Sequence, residues 1–478
     1  MDLLKKFFSF SIGSYISLII GIFSLPITTR IILPEQYGIF SFFLLIINLG
    51  SLLLTLGLDQ GFVRYFYEEK NKSSLLYNCL KYPILMWCVL SMIIFLNKEK
   101  LSFFVYNENN IEMLFILILG LFISILKTFS FLIVRMNQKG FKYSLLQILE
   151  QSFNFILIFI AYRIYKNSYK VLVISYFLSI LSVTLISILL EKEMWKIKKI
   201  QNSTTDISSL LKYSLPFVMT FSLSWIFSSS DKLIIKKYSN LEELGLYAIA
   251  FTVIKLFNIV QTGFTLFWVP VAYERYSQES ENKKFFKQVF NIISFIMLLL
   301  AIIVLISKNL IILLLGEKYY SASMIIPCLV FMPIMYTVSE TTVLGINFSK
   351  KTKYHIIISL CVAIFNIIGN IILVSKFGAR GAAISTGVAY ILFFTLRTYF
   401  AKRLIDYSFK LKRFYFISFF IFLYSLYLTF YNNIFFTLFW GIILIIILFG
   451  LYFKEIKIAH NYIKINYLNI MKKLIKIN

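Results

Sequence analysis

Four charged side chains stand inside apolar runs long enough to cross a bilayer: Lys127 in LFISILKTFSFLIV (121–134), Glu150, Lys255 and Glu340. A lone lysine at that depth costs roughly 2.5–3.5 kcal/mol on insertion scales, so each such charge needs a partner or a task. Helical positions i, i+3, i+4 and i+7 share a face. Gly120, Ser124 and Lys127 fall on one such face, and Gln147, Glu150, Gln151 and Asn154 make a second. Lys255, Asn258 and Thr262 make a third, Thr337, Glu340, Thr341 and Leu344 a fourth, and Asn366, Gly369 and Asn370 follow. The serine-rich SLSWIFSSSD ends at Asp231, and GLDQGFVRYFYEE carries Asp59 and Arg64. A spacing of five puts those last two on different faces, so Arg64 is expected to meet a partner other than Asp59.

Cations within a cavity favour an anion. Arg64 could grip a phosphate through paired donors, and Lys127 and Lys255 could hold one as point charges. Asn258 stands ready as a neighbouring hydrogen-bond partner. Glu150 and Glu340 cannot touch that anion while ionised, but burial raises carboxyl pKa values, so they could carry a proton or place a cation. Asp231 and Asp59 join them as coupling or charge-pairing candidates, and Asn154, Gln151 and Asn366 as polar cavity lining. A plainer reading stands beside each. Ser, Asn and Gln often tie helices together for about 0.6 kcal/mol a bond, the charges could form structural ion pairs, and Arg64 could anchor at the interface. Lys127 could also snorkel.

These side chains need helices in lipid to position them. Of 478 residues, 59% are hydrophobic and 15% charged, against about 25% charged in a soluble domain. Continuous apolar runs of about 20 residues select helices over a barrel. Fourteen spans are expected, near 8–30, 38–62, 82–97, 111–134, 143–163, 170–190, 213–231, 244–270, 287–307, 324–346, 355–375, 382–400, 413–431 and 433–453. With the N-terminus inside, the even-numbered loops and both tails hold most of the lysines, including KKTK (350–353), KLKR (410–413) and the C-terminal tail. That bias is the positive-inside pattern; it accounts for most of the net charge of +26 and argues against nucleic acid as a partner. The loop 163–170, with Arg163, Lys166 and Lys170, fits it least well. Lys5 and Lys6 precede an apolar run with no small-residue cleavage site, which reads as a retained first span. Four cysteines without ligand spacing and two histidines without partners predict no metal site.

An internal repeat organises the spans. EQYGIFSF (35–42) returns as EELGLYAI (242–249), with Gly38 and Gly245 207 residues apart. Tyr67–Glu68 returns as Tyr273–Glu274, KY (142–143) as KY (353–354) and FN (153–154) as FN (365–366), at offsets of 206, 211 and 212. Six spans per copy keep both copies in one orientation, as parallel repeats about an axis along the membrane normal. Transporters built this way bind near the midplane between halves. The expected domains are 1–200 and 201–405, six helices each, with STTDISS (203–209) as linker and two appended helices and a basic tail in 406–478.

LPITTRIILPEQYGIFSFF, GLDQGFVRYF, SSSDKLIIKKYSNLEELGLYAIAF and LVSKFGARGAAISTGVAY, in this order, resemble the bacterial polysaccharide exporters, or Wzx-type flippases. These form a branch of the multidrug/oligosaccharidyl-lipid/polysaccharide superfamily, and the likeness runs from about residue 5 to 400. The resemblance implies an all-α protein of about fourteen transmembrane helices, with two lobes in a V-shaped, alternating-access arrangement. It implies no enzyme and no cofactor, but coupling to an ion gradient such as H+ or Na+. The implied cargo is an undecaprenyl-pyrophosphate-linked oligosaccharide moved to the outer leaflet of the bacterial cytoplasmic membrane. Membrane lipids and polysaccharide assembly proteins are the further partners it suggests. Arg64 matches the arginine common after the second span of such proteins, and Asp231 the aspartate closing the seventh. A lipid II flippase is the nearest alternative, although its cavity is arginine-lined where this one offers mainly lysines. A multidrug exporter would want acidic residues in span one, which has none, though Glu150 keeps that alternative open. A polymerase or membrane glycosyltransferase would need a sizeable outer loop carrying catalytic residues, and the outer loops are short, the longest being roughly 97–110.

Overall fold

Among residues 2–196, 207–278 and 283–475, which the computed structural model describes, every regular element is a helix. They run α1 (Asp2–Ile31), α2 (Pro34–Leu54), α3 (Leu58–Tyr65), α4 (Lys72–Leu96), α5 (Lys98–Tyr106), α6 (Ile111–Met136), α7 (Gly140–Tyr165), α8 (Tyr169–Leu190) and α9 (Lys192–Trp195). Then follow α10 (Ile207–Tyr238), α11 (Leu241–Lys255), α12 (Asn258–Gln278), α13 (Lys283–Leu315), a 3₁₀ segment (Glu317–Met324), α14 (Ile326–Leu329) and α15 (Phe331–Thr342). The chain closes with α16 (Leu344–Phe348), α17 (Lys353–Leu404), α18 (Leu411–Phe430) and α19 (Ile434–Ile475). The expected linker 203–209 lies largely outside the described residues.

Local chemistry sets the boundaries. Asn71 and Asn110 cap α4 and α6 by accepting from the Ser74 and Met113 amides at 3.2 Å each. Pro34 opens α2 at a position where its missing N–H costs nothing. Eleven described segments are long and apolar enough to cross a bilayer, or up to thirteen if each of two bent pairs is one span. One pair, Ile207–Leu223 with Ser228–Tyr238, bends by 52° where the Ser228 hydroxyl donates to the Trp225 carbonyl. The other, Glu317–Met324 with Ile326–Thr342, bends by 51°.

α17 is a hairpin rather than one rod. Gly378 leaves the helical region (φ 57°, ψ −136°), a conformation that a Cβ would strain. Across the turn the Ser385 hydroxyl donates to the Asn366 carbonyl and Oδ1, both at 3.0 Å, although 19 residues separate them. In a straight helix those residues would lie about 28 Å apart.

The chain packs as two compact units. The first comprises Met1–Lys236, Asn240–Gly245 and Leu315–Lys318, and the second Lys237–Ser239, Leu246–Leu314 and Tyr319–Asn478. In the first, α7 lies against α1 and α8, and α6 against α8 and α2. In the second, α14, α15 and α16 pack on α17, and α14 also on α18. Within the first unit the two glycines that mark the repeat meet backbone to backbone. A Cβ on Gly38 would sit 1.9 Å from the Leu241 carbonyl oxygen, and one on Gly245 would sit 1.8 Å from that of Pro34.

Candidate functional site: a charged pair beside a polar cavity

α7 is held by α1 along one face and turns another towards α6. Ser144 accepts from the Gly13 amide at 3.0 Å and donates to the Ser9 carbonyl at 2.6 Å. One turn on, Gln147 accepts from Ser14 at 3.2 Å. Gln151 lies 3.6 Å from where a Gly21 Cβ would be. The polar stripe of this helix is therefore divided, with Gln147 and Gln151 serving the α1 seam. Glu150 instead forms an ion pair with Lys127 of α6, and Asn154 is half-buried one turn further along α7.

The pair is only partly withdrawn, at 26% side-chain exposure for Lys127 and 23% for Glu150. Lys127 sits nine residues before the end of α6, about 14 Å along the axis. Its ammonium also lies 5.5 Å from the centre of the Phe131 ring. Beside it opens a cavity of about 220 Å³, lined by Ile47, Asn48 and Ser51 of α2, Ser124, Lys127, Thr128 and Phe131 of α6, and Tyr176 of α8. Ser124 and Thr128 spend their protons on the Gly120 and Ser124 carbonyls, at 2.7 and 2.9 Å, which leaves their oxygens as acceptors. Glu150 is not part of that lining and meets the cavity through its pairing with Lys127.

A second charged pair occupies the other unit. Arg397 Nη1 of α17 lies 2.8 Å from Glu340 Oε1 and donates to Ser339 Oγ at 2.6 Å. Its guanidinium rests 5.5 and 5.0 Å from the centres of the Tyr336 and Phe393 rings. Here exposure is 8% and 10%, so the pair is sealed. The Trp268 indole donates to the Glu340 carbonyl at 3.2 Å, and the Thr342 and Thr398 hydroxyls meet at 2.8 Å.

Residues 27–324 match the family model described as polysaccharide biosynthesis protein. The chain belongs to the polysaccharide biosynthesis protein family. An uncharacterized membrane protein of Methanocaldococcus jannaschii is 23% identical over 406 residues, covering 79% of this chain and 78% of that one. A lipid II flippase in an inward closed conformation superposes with a TM-score of 0.68 at 18% identity, over 94% of this chain and 99% of that one. An inward-facing multidrug resistance transporter of the MATE family gives 0.59 at 15% identity, over 83% and 95%. The outward-facing form of a MATE transporter gives 0.54 at 15% identity, over 84% and 96%. This polysaccharide biosynthesis family member is thus an all-helical, multi-pass membrane protein with the fold of those transporters.

The remaining candidates in this family member scatter. Asp59 and Arg64 do not end the second span, because α2 stops at Leu54 and Gly57 (φ 68°) starts the separate helix α3. There Asp59 accepts from Gln60 at 2.6 Å, while the exposed Arg64 pairs with Glu68 one turn on. The stripe expected from Lys255 through Asn258 to Thr262 is interrupted. The amides of Leu256 and Phe257 bond back three residues, to Val253 and Ile254 at 3.2 and 3.0 Å. That tighter turn ends α11 at Lys255 and shifts the helical phase before α12 begins. Lys255 is exposed, with its ammonium 5.0 Å from the Phe251 ring centre, and the Asn258 side chain lies outside the described residues. The face expected to continue from Glu340 to Leu344 breaks likewise, since α15 ends at Thr342. Asp231 is buried, and Asn366 is buried against Ser385 inside the hairpin. Arg397, a lone arginine inside the apolar ILFFTLRTYF, carries in the sequence the same signal as Lys127.

Proposed function

We propose that this chain flips an undecaprenyl-pyrophosphate-linked oligosaccharide, an O-antigen or capsule repeat unit, across the bacterial cytoplasmic membrane by alternating access. The Lys127–Glu150 pair beside a polar cavity, set among membrane-spanning helices of a polysaccharide biosynthesis family member, carries this reading. A pyrophosphate brings charge and a glycan many hydroxyls, so unaided passage through hydrocarbon is prohibitive. Polar side chains held at membrane depth lower that barrier by replacing water around the head group. Counting each bent pair once and the Gly378 hairpin twice gives fourteen crossings. With the basic loops inside, both termini are then cytoplasmic. The 207-residue repeat supports two six-helix lobes, 1–200 and 201–405, working as parallel repeats, with 406–478 appended.

Roles divide by what each charge already holds. Lys255 is exposed and has no carboxylate among its described contacts, which suits a phosphate. Glu150 is the coupling group, because taking up a proton or a Na+ there changes its hold on Lys127. Glu340 is committed to Arg397 and serves structure. A lipid II flippase is the second reading, favoured by the fold likeness over nearly the whole chain.

The test is reconstitution of the purified chain in vesicles with a radiolabelled lipid-linked oligosaccharide or with lipid II. Outer-leaflet arrival is read by a membrane-impermeant glycosidase. Protein-dependent arrival of the oligosaccharide, lost in Lys127→Ala, is expected. Faster transfer of lipid II would select the second reading, and glycan extension without translocation would select a polymerase.

A further inference from the structure

An ammonium and a carboxylate in contact sum to zero charge, so Lys127 is a poor resting place for a phosphate unless Glu150 leaves it. The cavity beside the pair offers a different chemistry. Asn48 is exposed on α2, one turn from Ser51, and each brings both a donor and an acceptor. Thr128 keeps an acceptor oxygen, since its proton is spent within α6. Lys127 has protons beyond the one given to Glu150. Phe131 and the Tyr176 ring supply flat apolar faces from α6 and α8. Mixed donors and acceptors around aromatic faces match a pyranose, whose ring carbons present C–H groups to an aromatic face while its hydroxyls both give and take hydrogen bonds. An anion has nothing to donate and would leave the acceptors unpaired. At about 220 Å³ the space equals roughly seven waters at ~30 Å³ each, which suits one sugar ring.

We infer that the cavity between α2, α6 and α8 is a monosaccharide subsite. It holds one ring of the translocated glycan, with the Lys127–Glu150 pair acting as a neutral donor edge. This assignment rests on the flippase reading for its cargo, but the chemistry of the pocket stands without it. It also gives the pair a task while both partners stay charged: the ammonium at the cavity wall donates to a ring hydroxyl, and its pairing with Glu150 keeps that wall neutral. The phosphate is then left to an unpaired cation elsewhere.

The experiment uses the full chain in nanodiscs of phosphatidylethanolamine and phosphatidylglycerol, free of sugar detergents. Saturation-transfer NMR is recorded with free N-acetylglucosamine and with galactose, and ³¹P line broadening with inorganic pyrophosphate. At least one sugar is expected to receive saturation from aromatic protons. Asn48→Ala, whose side chain has no hydrogen-bond partner among the described residues, is expected to cut that signal about five-fold, the scale of one hydrogen bond. Tyr176→Phe, which keeps the ring, is expected to cut it less than Tyr176→Leu. In vesicles, Asn48→Ala is expected to slow a glycan-bearing lipid at least several-fold more than sugarless undecaprenyl pyrophosphate. Pyrophosphate broadening that needs Lys127, with no sugar signal, would overturn the assignment in favour of an anion site. A sugar signal indifferent to Asn48 and Tyr176 would also overturn it. If the wild-type chain moves no lipid-linked glycan yet keeps an Asn48-dependent sugar signal, the flippase reading fails and the subsite stands.

Discussion

Removing Arg397 while keeping Glu340 is expected to destabilise the second unit far more than removing both. The pair sits at 2.8 Å with exposures of 8% and 10%, so a carboxylate left behind by Arg397→Met stays largely sealed from solvent without its guanidinium. Breaking a buried pair in this way costs about 3–5 kcal/mol, whereas replacing both partners with apolar residues is often close to neutral. At roughly 2–4 °C per kcal/mol for a unit of this size, the single substitution lowers the midpoint by about 6–20 °C. Arg397→Met with Glu340→Leu is expected to recover most of that loss. The protein carries its own reporters: Cys328 in the second unit and Cys79 in the first are both fully buried, while Cys88 and Cys361 are exposed. In a Cys88→Ser, Cys361→Ser background, reaction of a thiol-specific fluorogenic dye follows unfolding as each buried thiol appears. Keeping Cys328 alone reads the second unit and Cys79 alone the first, with scan rate held fixed. Equal destabilisation of the single and double variants would show that the two side chains do not act as an energetic unit. A fall of the same size at Cys79 would show that the effect is not local to the second unit.

Three further expectations rest on separate contacts. Gly245→Ala places a Cβ 1.8 Å from the Pro34 carbonyl oxygen, so the two helix starts must part by more than 1 Å, at about 1–3 kcal/mol or more; the same Cys79 melt should fall, while Gly263→Ala, with nothing within 4 Å, should not change it. Ser385→Ala strips the single hydroxyl proton shared between the Asn366 carbonyl and Oδ1 in the Gly378 hairpin and is expected to cost about 1 kcal/mol on the Cys328 melt. Glu108, in the loop between α5 and α6, has its pKa lowered from 4.5: burial pushes upward, but hydrogen bonds from Tyr169 and Asn110 and the charge of Lys170 outweigh it. A depressed carboxyl favours the fold above its unfolded value and loses that contribution as pH falls through the folded value. Amide exchange over 102–113, corrected for intrinsic rates, should therefore rise as pH drops below 4.5, and Glu108→Gln should flatten the rise.

The fold was legible in the sequence where the signal is local and cumulative. Continuous apolar runs select helices because lipid offers backbone groups no other partner. The repeat was legible because Gly38 and Gly245 are each required by a close approach to a carbonyl, which admits no side chain. What the sequence hid were breaks one or two residues long. Nothing in KLFN announces that the Leu256 and Phe257 amides bond three residues back, yet that step breaks the helical phase predicted to run on from Lys255. The ion pair of Lys127 with Glu150 was within reach because their helices are consecutive in the chain. Glu340 pairs with Arg397 across 57 residues, beyond what helical spacing can suggest.

The two pairs differ in the property that decides what a buried charge can do. Each unit holds a complete pair. Their settings are unequal. Arg397 is an always-charged fork between aromatic rings, with a carboxylate and a hydroxyl already on one of its nitrogens. Removing either charge would leave the other sealed without its partner, so this pair serves structure. Lys127 is a single flexible ammonium at a cavity wall, with 26% of its side chain accessible and a carboxylate partner at 23%. Water, an ion or a hydroxyl can reach it, and its partner can change state without leaving a sealed charge behind. One unit thus keeps its pair shut and the other keeps its pair open beside a cavity, so it is at Lys127 that the proposed cargo has access to a buried charge.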